Sequence, residues 1–325
     1  MKNQQTVLFD TSIGSFNMGD SIIVKSFLKN GSDVLRSGVY AKFSTHTPNF
    51  EPWQMTKLND RYRFVSQAAR KFIVGTNLLS MNLLRPWPNF NLTAFNRKVF
   101  KNCVLVGIGA GQGETFNAYT KWLYSTTFSR QYTHSTRDER TAILLRELGF
   151  EAINTGCPTM WGLTKQFCKD IPGTKAEAVV FTLTNDSPDE EKDKKMISIL
   201  KSVYKQIFFY PQSFGDLEYL NQIDKFHEIE ILPSDIDELS RFYNNNDVDY
   251  IGTRLHGGIY AMQHKKRSIV VGIDNRAADI KNTYNINYIS RQDLPNELQE
   301  IIMSSFKTEL NIDEQKINMW KNQFQ

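Results

Sequence analysis

Short apolar runs alternate with stretches of helical period along most of the chain. The clearest case is 249–279. Asp249–Thr253 reads as a strand, and the chain then turns through Arg254-Leu255-His256-Gly257-Gly258. A helix follows to about Lys266, with Leu255, Ile259 and Met262 at i, i+4 and i+7 on one apolar face. Ser268–Ile273 is an uninterrupted apolar run of the kind a buried parallel strand uses. The same alternation extends on both sides. Strands are predicted at Thr6–Ile13, Phe72–Thr76, Cys103–Ile108, Tyr132–Thr136 and Ala152–Asn154. In the second half they fall at Ala178–Thr184, Gln206–Tyr210, Glu228–Leu232 and Ile286–Ser290. Helices are predicted from Asp20, over Asp60–Lys71, Asn117–Phe128, 138–148, from the charged run at 186–195 to about Tyr204, and over Asp235–Tyr243, Glu297–Phe306 and Asp313–Phe324. The segments 32–53 and 77–95 show no period. The second, with Trp87, reads either as a substrate-facing loop or as packing.

Strands alternating with helices in both halves predict an α/β protein of two doubly wound, Rossmann-like domains facing each other across a cleft. The expected division is 1–160, 161–306 and a C-terminal helix, 307–325, packing back on the first domain. At 325 residues the chain is long enough for two such domains.

Several polar residues fall at predicted C-terminal strand ends, where open α/β sheets bind ligands. Arg254 and His256 stand at a helix start, where the dipole and unpaired N–H groups favour an anion. A second reading has Arg254 capping a carbonyl and His256 satisfied locally. Asp20 is either an N-cap or a carboxylate held at a strand end. Arg137 is either a ligand cation or the partner of Asp138 or Glu139. The glycines Gly107, Gly109, Gly111 and Gly113 do not have the dinucleotide-binding spacing and by themselves indicate only a tight turn.

Composition narrows the classes. A net charge of +4 suits an anionic small molecule but is no nucleic-acid footprint. The cysteines Cys103, Cys157 and Cys168 have neither zinc nor redox spacing, and their odd number fits a reducing compartment. No signal-peptide pattern is present, and no run approaches the roughly 18 apolar residues of a membrane span. The charged run at 186–195 reads as a solvated helix face, and no cluster has metal-ligand spacing. The expectation is a cytoplasmic protein with no metal and no cofactor.

With these motifs in hand, the chain resembles the polysaccharide pyruvyltransferase family. The resemblance rests on Asn17-Met18-Gly19-Asp20, on Gly107 to Gly113, on Ser135-Thr136-Arg137-Asp138 and above all on Gly252-Thr253-Arg254-Leu255-His256. The motifs occur in family order across roughly 14–280. The resemblance implies a GT-B-like pair of Rossmann-like domains, with the first on the acceptor side and the second on the donor side. It implies transfer of a pyruvyl group from phosphoenolpyruvate to two sugar hydroxyls, giving a cyclic ketal on a bacterial surface glycan. It assigns Arg254, Arg137, Leu255, Gly257 and His256 to the donor, with Asp20 completing the site; by residue type His256 is a candidate general acid and Asp20 a candidate base. An exchange of these two roles, or use of His134, fits the chemistry equally. Asn17, Gly19, Gly111, Gln112, His134 and Arg276 are the candidate acceptor or cleft residues. The chain departs from the family at Cys157-Pro158, where an Asp-Pro pair is more usual, and at Asn275-Arg276, where a lysine is common. The acceptor would be a sugar or a lipid-linked oligosaccharide, and in the second case the protein would work peripherally at the inner face of the cytoplasmic membrane.

Two other functions share the fold. A nucleotide-sugar glycosyltransferase would use the same arginine and helix dipole on a diphosphate. A non-catalytic glycan-assembly subunit would bind without turnover. A plain sugar-binding module would expose aromatic platforms, for which Trp53, Trp87, Trp122 and Trp161 are the candidates.

Overall fold

The computed structural model describes residues 5–35, 40–86, 88–224, 228–273 and 283–325; Trp87 and Arg276 lie outside the described residues. The chain divides into two compact α/β units. Unit 1 comprises 1–15, 23–161 and 313–325, and unit 2 comprises 16–22 and 162–312. The expected division at 160 is corrected in two places. Phe16–Ile22 belongs to unit 2, where Met18 N donates to Gln212 O at 2.7 Å and Ile22 is buried in that unit's core. Residues 307–312 also stay with unit 2, as Asn311 N donates to Tyr284 O.

Unit 1 is built on β1 (Thr6–Asp10), β2 (Tyr40–Ser44), β3 (Arg70–Val74) and β4 (Val104–Val106), all parallel in the order β2-β1-β3-β4. β1 and β3 are buried along most of their length, which explains their unbroken apolar runs. β1 ends earlier than expected because Asp10 turns the chain, its carboxylate accepting from Ser12 N and Oγ. β2 falls in the segment that shows no period. It is an edge strand with alternating exposure, and YAKFS has too few apolar residues to announce it. α1 (Met18–Asn30), α2 (Asp60–Gln67), α3 (Ala118–Thr127) and α4 (Glu139–Glu147) follow the predicted periodicity.

β5 (His134–Thr136) and β6 (Ala152–Asn154) form a separate parallel pair beside β4. The separation has a local cause. Leu105 N donates to His134 Nδ1 at 3.0 Å and Gly107 N donates to Ser135 Oγ at 2.9 Å. Side chains of β5 thus take the places that its carbonyls would hold in a continuous ladder.

The C-terminal helix, α11 (Glu314–Asn322), seals the other face of this sheet. Phe324 packs edge-on to Phe72 at 5.1 Å, and Trp320 packs against Trp161 at 5.6 Å. Trp320 Nε1 donates to Thr133 O, and Arg70 Nη2 donates to Phe324 O.

Unit 2 holds β7 (Ala178–Thr182), β8 (Gln206–Phe209), β9 (Glu230–Ile231), β10 (Val248–Gly252), β11 (Ser268–Gly272) and β12 (Tyr288–Ser290). The sheet is parallel throughout, in the order β12-β11-β10-β7-β8-β9. Its two faces bury different residues. Val179, Phe181, Ile251 and Ile269 point to a core shared with α6 (Glu190–Val203) and α10 (Leu294–Met303). Ala178, Val180, Val248 and Tyr250 point to a core shared with α8 (Ile236–Asn245) and α9 (Leu255–Gln263). Strands covered on both faces must be apolar throughout, as their sequences are. α5 (Lys165–Cys168) is a single turn, and α7 (Asp216–Ile223) starts at Gly215, which has φ +93°. α7 buries Tyr219, Leu220 and Ile223, at i, i+1 and i+4, and is absent from the predicted helices.

Candidate functional site

The strand order of unit 2 locates its ligand end. The chain moves outward from β7 through β8 to β9, then returns to the other side of β7 with β10. The crossover between β7 and β10 is a topological switch point, where the carboxyl ends of the strands open toward ligands. Three segments meet there: 183–186 after β7, 210–216 after β8 and 253–257 after β10.

Arg254, the residue before α9, is fixed by a closed hydrogen-bond circuit. Its N–H donates to Thr182 Oγ1 at 3.2 Å, Thr182 Oγ1 lies 2.6 Å from Tyr250 Oη, and Tyr250 Oη donates to Arg254 O at 2.7 Å. All three residues are buried, and burial pushes the Tyr250 phenol well above its ordinary range, so it stays a neutral donor. α9 therefore starts from a rigid platform.

The guanidinium of Arg254 is largely engaged by the protein itself. Its side chain is 7% exposed, and Asp216 has no exposure. Nε donates to Asp216 Oδ2 and to Leu183 O, and Nη2 donates to Asp216 Oδ1 and to Asn185 Oδ1. The Asp216 carboxylate also accepts from the N–H groups of Asn185, Gln212 and Ser213. The pair welds the turns after β7, β8 and β10 together. Nη1 alone looks outward, 3.7 Å from the exposed Asp186.

The first turn of α9 stands above this platform. Its N-cap residue, Arg254, makes no side-chain cap hydrogen bond. The first N–H groups of a helix lack intrahelical partners and carry the positive end of the dipole. Leu255 and His256 occupy this turn and are half-buried. Gly257 is needed behind it, because a Cβ there would stand 2.7 Å from Tyr250 Oη and 2.9 Å from Gln212 Oε1.

Gln212 joins this turn to the start of α1. It is 2% exposed, and its backbone carbonyl accepts from Met18 N. Its Nε2 donates to Asn17 Oδ1 at 3.3 Å, and that oxygen also caps α1 by accepting from Gly19 N at 2.8 Å. This orientation directs Gln212 Oε1 toward Gly257, where it has no hydrogen-bond partner among the described residues. A Cβ on Gly19 would lie 3.4 Å from His256 Nδ1, so Asn17, Gly19 and His256 share one neighbourhood. Asn17, not Asp20, is the cap, and Asp20 lies half-buried in the first turn of α1.

Arg137, Gly111, Gln112 and His134 belong to unit 1. Arg137 is 20% exposed, its Nε lies 3.5 Å from Asp138 Oδ2, and its guanidinium packs against Gly109 beside the buried Asn77 Oδ1, which has no hydrogen-bond partner among the described residues. Gly111 N donates to Leu79 O, while Arg140 donates to Gly111 O and Gly113 O. Gln112 is exposed at the tip. His134 is corrected from a candidate cleft residue to a core residue. It has no exposure, accepts from Leu105 N, and through Nε2 donates to Ser129 O. Burial pushes it down to about 4, so it stays neutral at physiological pH. Among the described residues no group of three His, Cys, Asp or Glu side chains could hold a metal ion, and no helix is long and apolar enough to cross a membrane.

The sequence profile of polysaccharide pyruvyl transferases matches residues 17–275, from the α1 cap to just beyond β11. The chain belongs to the polysaccharide pyruvyl transferase family. As a pyruvyl transferase it has a GT-B-like α/β fold with parallel sheets. Among solved structures it is similar to the UDP-GlcNAc 2-epimerase of Methanocaldococcus jannaschii in complex with UDP-GlcNAc and UDP, at 12% identity over 97% of each chain and a TM-score of 0.50. It is also similar to the Escherichia coli heptosyltransferase WaaC, at 12% identity over 88% of this chain and 92% of that one, with a TM-score of 0.42. No curated protein matches the chain in sequence. Identities this low carry the fold and nothing about substrate. For this pyruvyl transferase, sequence reasoning missed Gln212, Asp216 and Asn185. A polar stretch directly after an apolar strand, PQSFGD, was the available signal.

Proposed function

We propose that this pyruvyl transferase takes its pyruvyl group from phosphoenolpyruvate and installs it on two hydroxyls of a sugar as a cyclic ketal. The observation that carries the reading is the N-terminal turn of α9, with the imidazole of His256 in it, at the switch point of unit 2. Phosphoenolpyruvate is a phosphate and a carboxylate on a three-carbon enol, and a helix N-terminus suits either anion. His256 is the general acid, since imidazole carries a transferable proton near neutral pH. Its proton goes to the enol methylene carbon, leaving an oxocarbenium-like centre at C2. One sugar hydroxyl adds to C2 and gives up its proton to a base, for which Asp20 is the candidate. The C2–O bond to phosphate breaks and the second hydroxyl closes the ring. Hydrogen phosphate leaves with one of the two hydroxyl protons, and the other replaces the proton spent on the methylene carbon. No metal or organic cofactor enters this balance. The acceptor is a soluble or lipid-linked glycan precursor on the cytoplasmic side of the membrane. The Arg254–Asp216 pair acts from behind, holding the α9 turn in place.

The test is the melting temperature with phosphoenolpyruvate or UDP-GlcNAc, in the wild type and in His256→Glu. A ligand bound only to the folded state at 100 times its Kd stabilises it by about 2.7 kcal/mol. A carboxylate in a first helical turn favours the helix itself, so His256→Glu should fold, yet it repels an anion. The expected result is a rise with phosphoenolpyruvate that His256→Glu abolishes. A rise with UDP-GlcNAc alone would move the chain to the glycosyltransferase reading. A phosphoenolpyruvate rise that survives His256→Glu would place the donor elsewhere.

A further inference from the structure

Two of the most exposed aromatic side chains of unit 2 stand side by side at the edge of the candidate site. Phe16 is 78% exposed and Phe214 is 81% exposed, with ring centroids 5.8 Å apart. Neither sits on a loose loop. Asn17 and Ser213 form an antiparallel bridge, with Phe214 N donating to Phe16 O at 3.0 Å and Met18 N donating to Gln212 O at 2.7 Å. The same backbone that places Gln212 and Asn17 therefore places the two rings. Large apolar groups held rigidly in water mark a contact surface when they adjoin a site.

The polar groups beside the rings indicate what that contact is. Asn185 Oδ1 accepts from Arg254, which turns Asn185 Nδ2 toward Gly215, the neighbour of Phe214. Nδ2 makes no hydrogen bond among the described residues, so a donor is left over. Asp186 follows, 71% exposed, with its carboxylate facing Arg254 Nη1. An unspent amide donor, an open carboxylate acceptor and two apolar ring faces match the amphipathic build of a pyranose, whose C–H face is apolar and whose rim carries hydroxyls. A lipid chain would use the rings but neither polar group.

We propose that Phe16 and Phe214, with Asn185 and Asp186, form a stacking subsite for a pyranose ring of the acceptor. Its identification with the acceptor rests on the pyruvyl-transfer reading, whereas the pyranose chemistry rests on these four side chains. The rings hold one sugar face, and Asn185 and Asp186 fix the rotation of that face. The hydroxyls presented to His256 and Asp20 are thereby selected by orientation.

The test is saturation-transfer NMR on the full chain. The probes are methyl β-D-galactopyranoside, methyl β-D-glucopyranoside, methyl α-D-mannopyranoside and the methyl β-glycoside of N-acetylglucosamine. The proteins are the wild type, Phe16→Ala, Phe214→Ala and Phe214→Trp. Melting temperatures are taken in parallel with phosphoenolpyruvate. Both phenylalanines are exposed, so the variants should fold. At least one probe should saturate, with transfer concentrated on the protons of one ring face. Each alanine variant should weaken its Kd about 3- to 10-fold, the range of one aromatic contact. Phe214→Trp should keep or tighten it, and the phosphoenolpyruvate response should be the same in all four proteins. No saturable transfer from any of the four glycosides would overturn the subsite. So would equal binding in the wild type and both alanine variants. A missing phosphoenolpyruvate response in the wild type would instead overturn the donor assignment, and the NMR would still decide the subsite.

Discussion

The turn after β4 in unit 1 and the turn after β10 in unit 2 look alike as sequence and differ as chemistry. Both follow an apolar strand, both are glycine-rich and both precede a helix. In unit 1 the backbone groups are spent on the protein. Gly109 N donates to Thr76 O, Ala110 N to Thr141 Oγ1 and Gly111 N to Leu79 O. Arg140 holds the Gly111 and Gly113 carbonyls. In unit 2 the turn is braced from beneath by Thr182, Tyr250 and Asp216, while Arg254 at the N-cap of α9 makes no side-chain cap hydrogen bond. Glycines make a close approach possible, but a binding turn also needs N–H groups that the fold has not already used.

The largest effect should come from the brace in unit 2. Arg254→Met strands Asp216 as a buried charge without its main partner, and such losses cost about 3–5 kcal/mol. For a unit of this size the melting temperature should fall by on the order of 10 °C. The double variant Arg254→Met/Asp216→Leu should recover much of that loss, since the buried charge goes as well. A melting temperature unchanged in Arg254→Met would mean that the fork is free to bind ligand after all.

The next effect belongs to unit 1 and depends on pH. His134 titrates near its ordinary value of about 6.5 when unfolded, and burial holds it at about 4 when folded. Between those values the unfolded chain binds a proton that the folded chain does not, so stability falls as pH drops through this window. The loss below pH 4 is about 3 kcal/mol. His134→Gln can accept from Leu105 N and donate to Ser129 O without titrating. Its denaturation midpoint should therefore drop less than that of the wild type between pH 7 and pH 4. Parallel curves for the two proteins would show that His134 is not neutral in the core.

The unequal visibility of these features has a physical basis. The βαβ unit around β10 was legible because fully covered strands must be apolar and its helix has one apolar face. The grouping of His134 with cleft residues failed because exposure is not encoded locally. An imidazole at a strand end reads the same whether it faces solvent or fills a gap in a sheet ladder. The role of Arg254 was hidden for a related reason. Asp216 lies 38 residues away, at the start of α7, and only the parallel placement of β7, β8 and β10 brings the two together. The reading of Asp20 as the cap was displaced by Asn17, three residues earlier, whose Oδ1 accepts from Gly19 N in an Asx turn. β2 was missed because an edge strand with mixed polarity carries little pattern.

The smallest effects return to the two turns and separate them directly. In Gly257→Ala the methyl group meets Tyr250 Oη at 2.7 Å and Gln212 Oε1 at 2.9 Å. Tyr250 is held in its hydrogen-bond circuit and cannot withdraw without releasing Arg254 O. Overpacking of about 1–3 kcal/mol is offset by up to about 1 kcal/mol of gained helix propensity, so a net loss of about 1–2 kcal/mol is expected. Gly111→Ala has only Leu79 O nearby, at an ordinary 3.6 Å, and its φ is not positive. Stability there should stay within about 0.5 kcal/mol of the wild type. Urea midpoints of the two variants, measured side by side, decide the matter. Equal losses would mean that the unit 1 turn is as tightly specified as the unit 2 turn, and glycine content would then regain its value as a guide to the site. A loss confined to Gly257→Ala would tie the glycine requirement to the packed turn beneath His256.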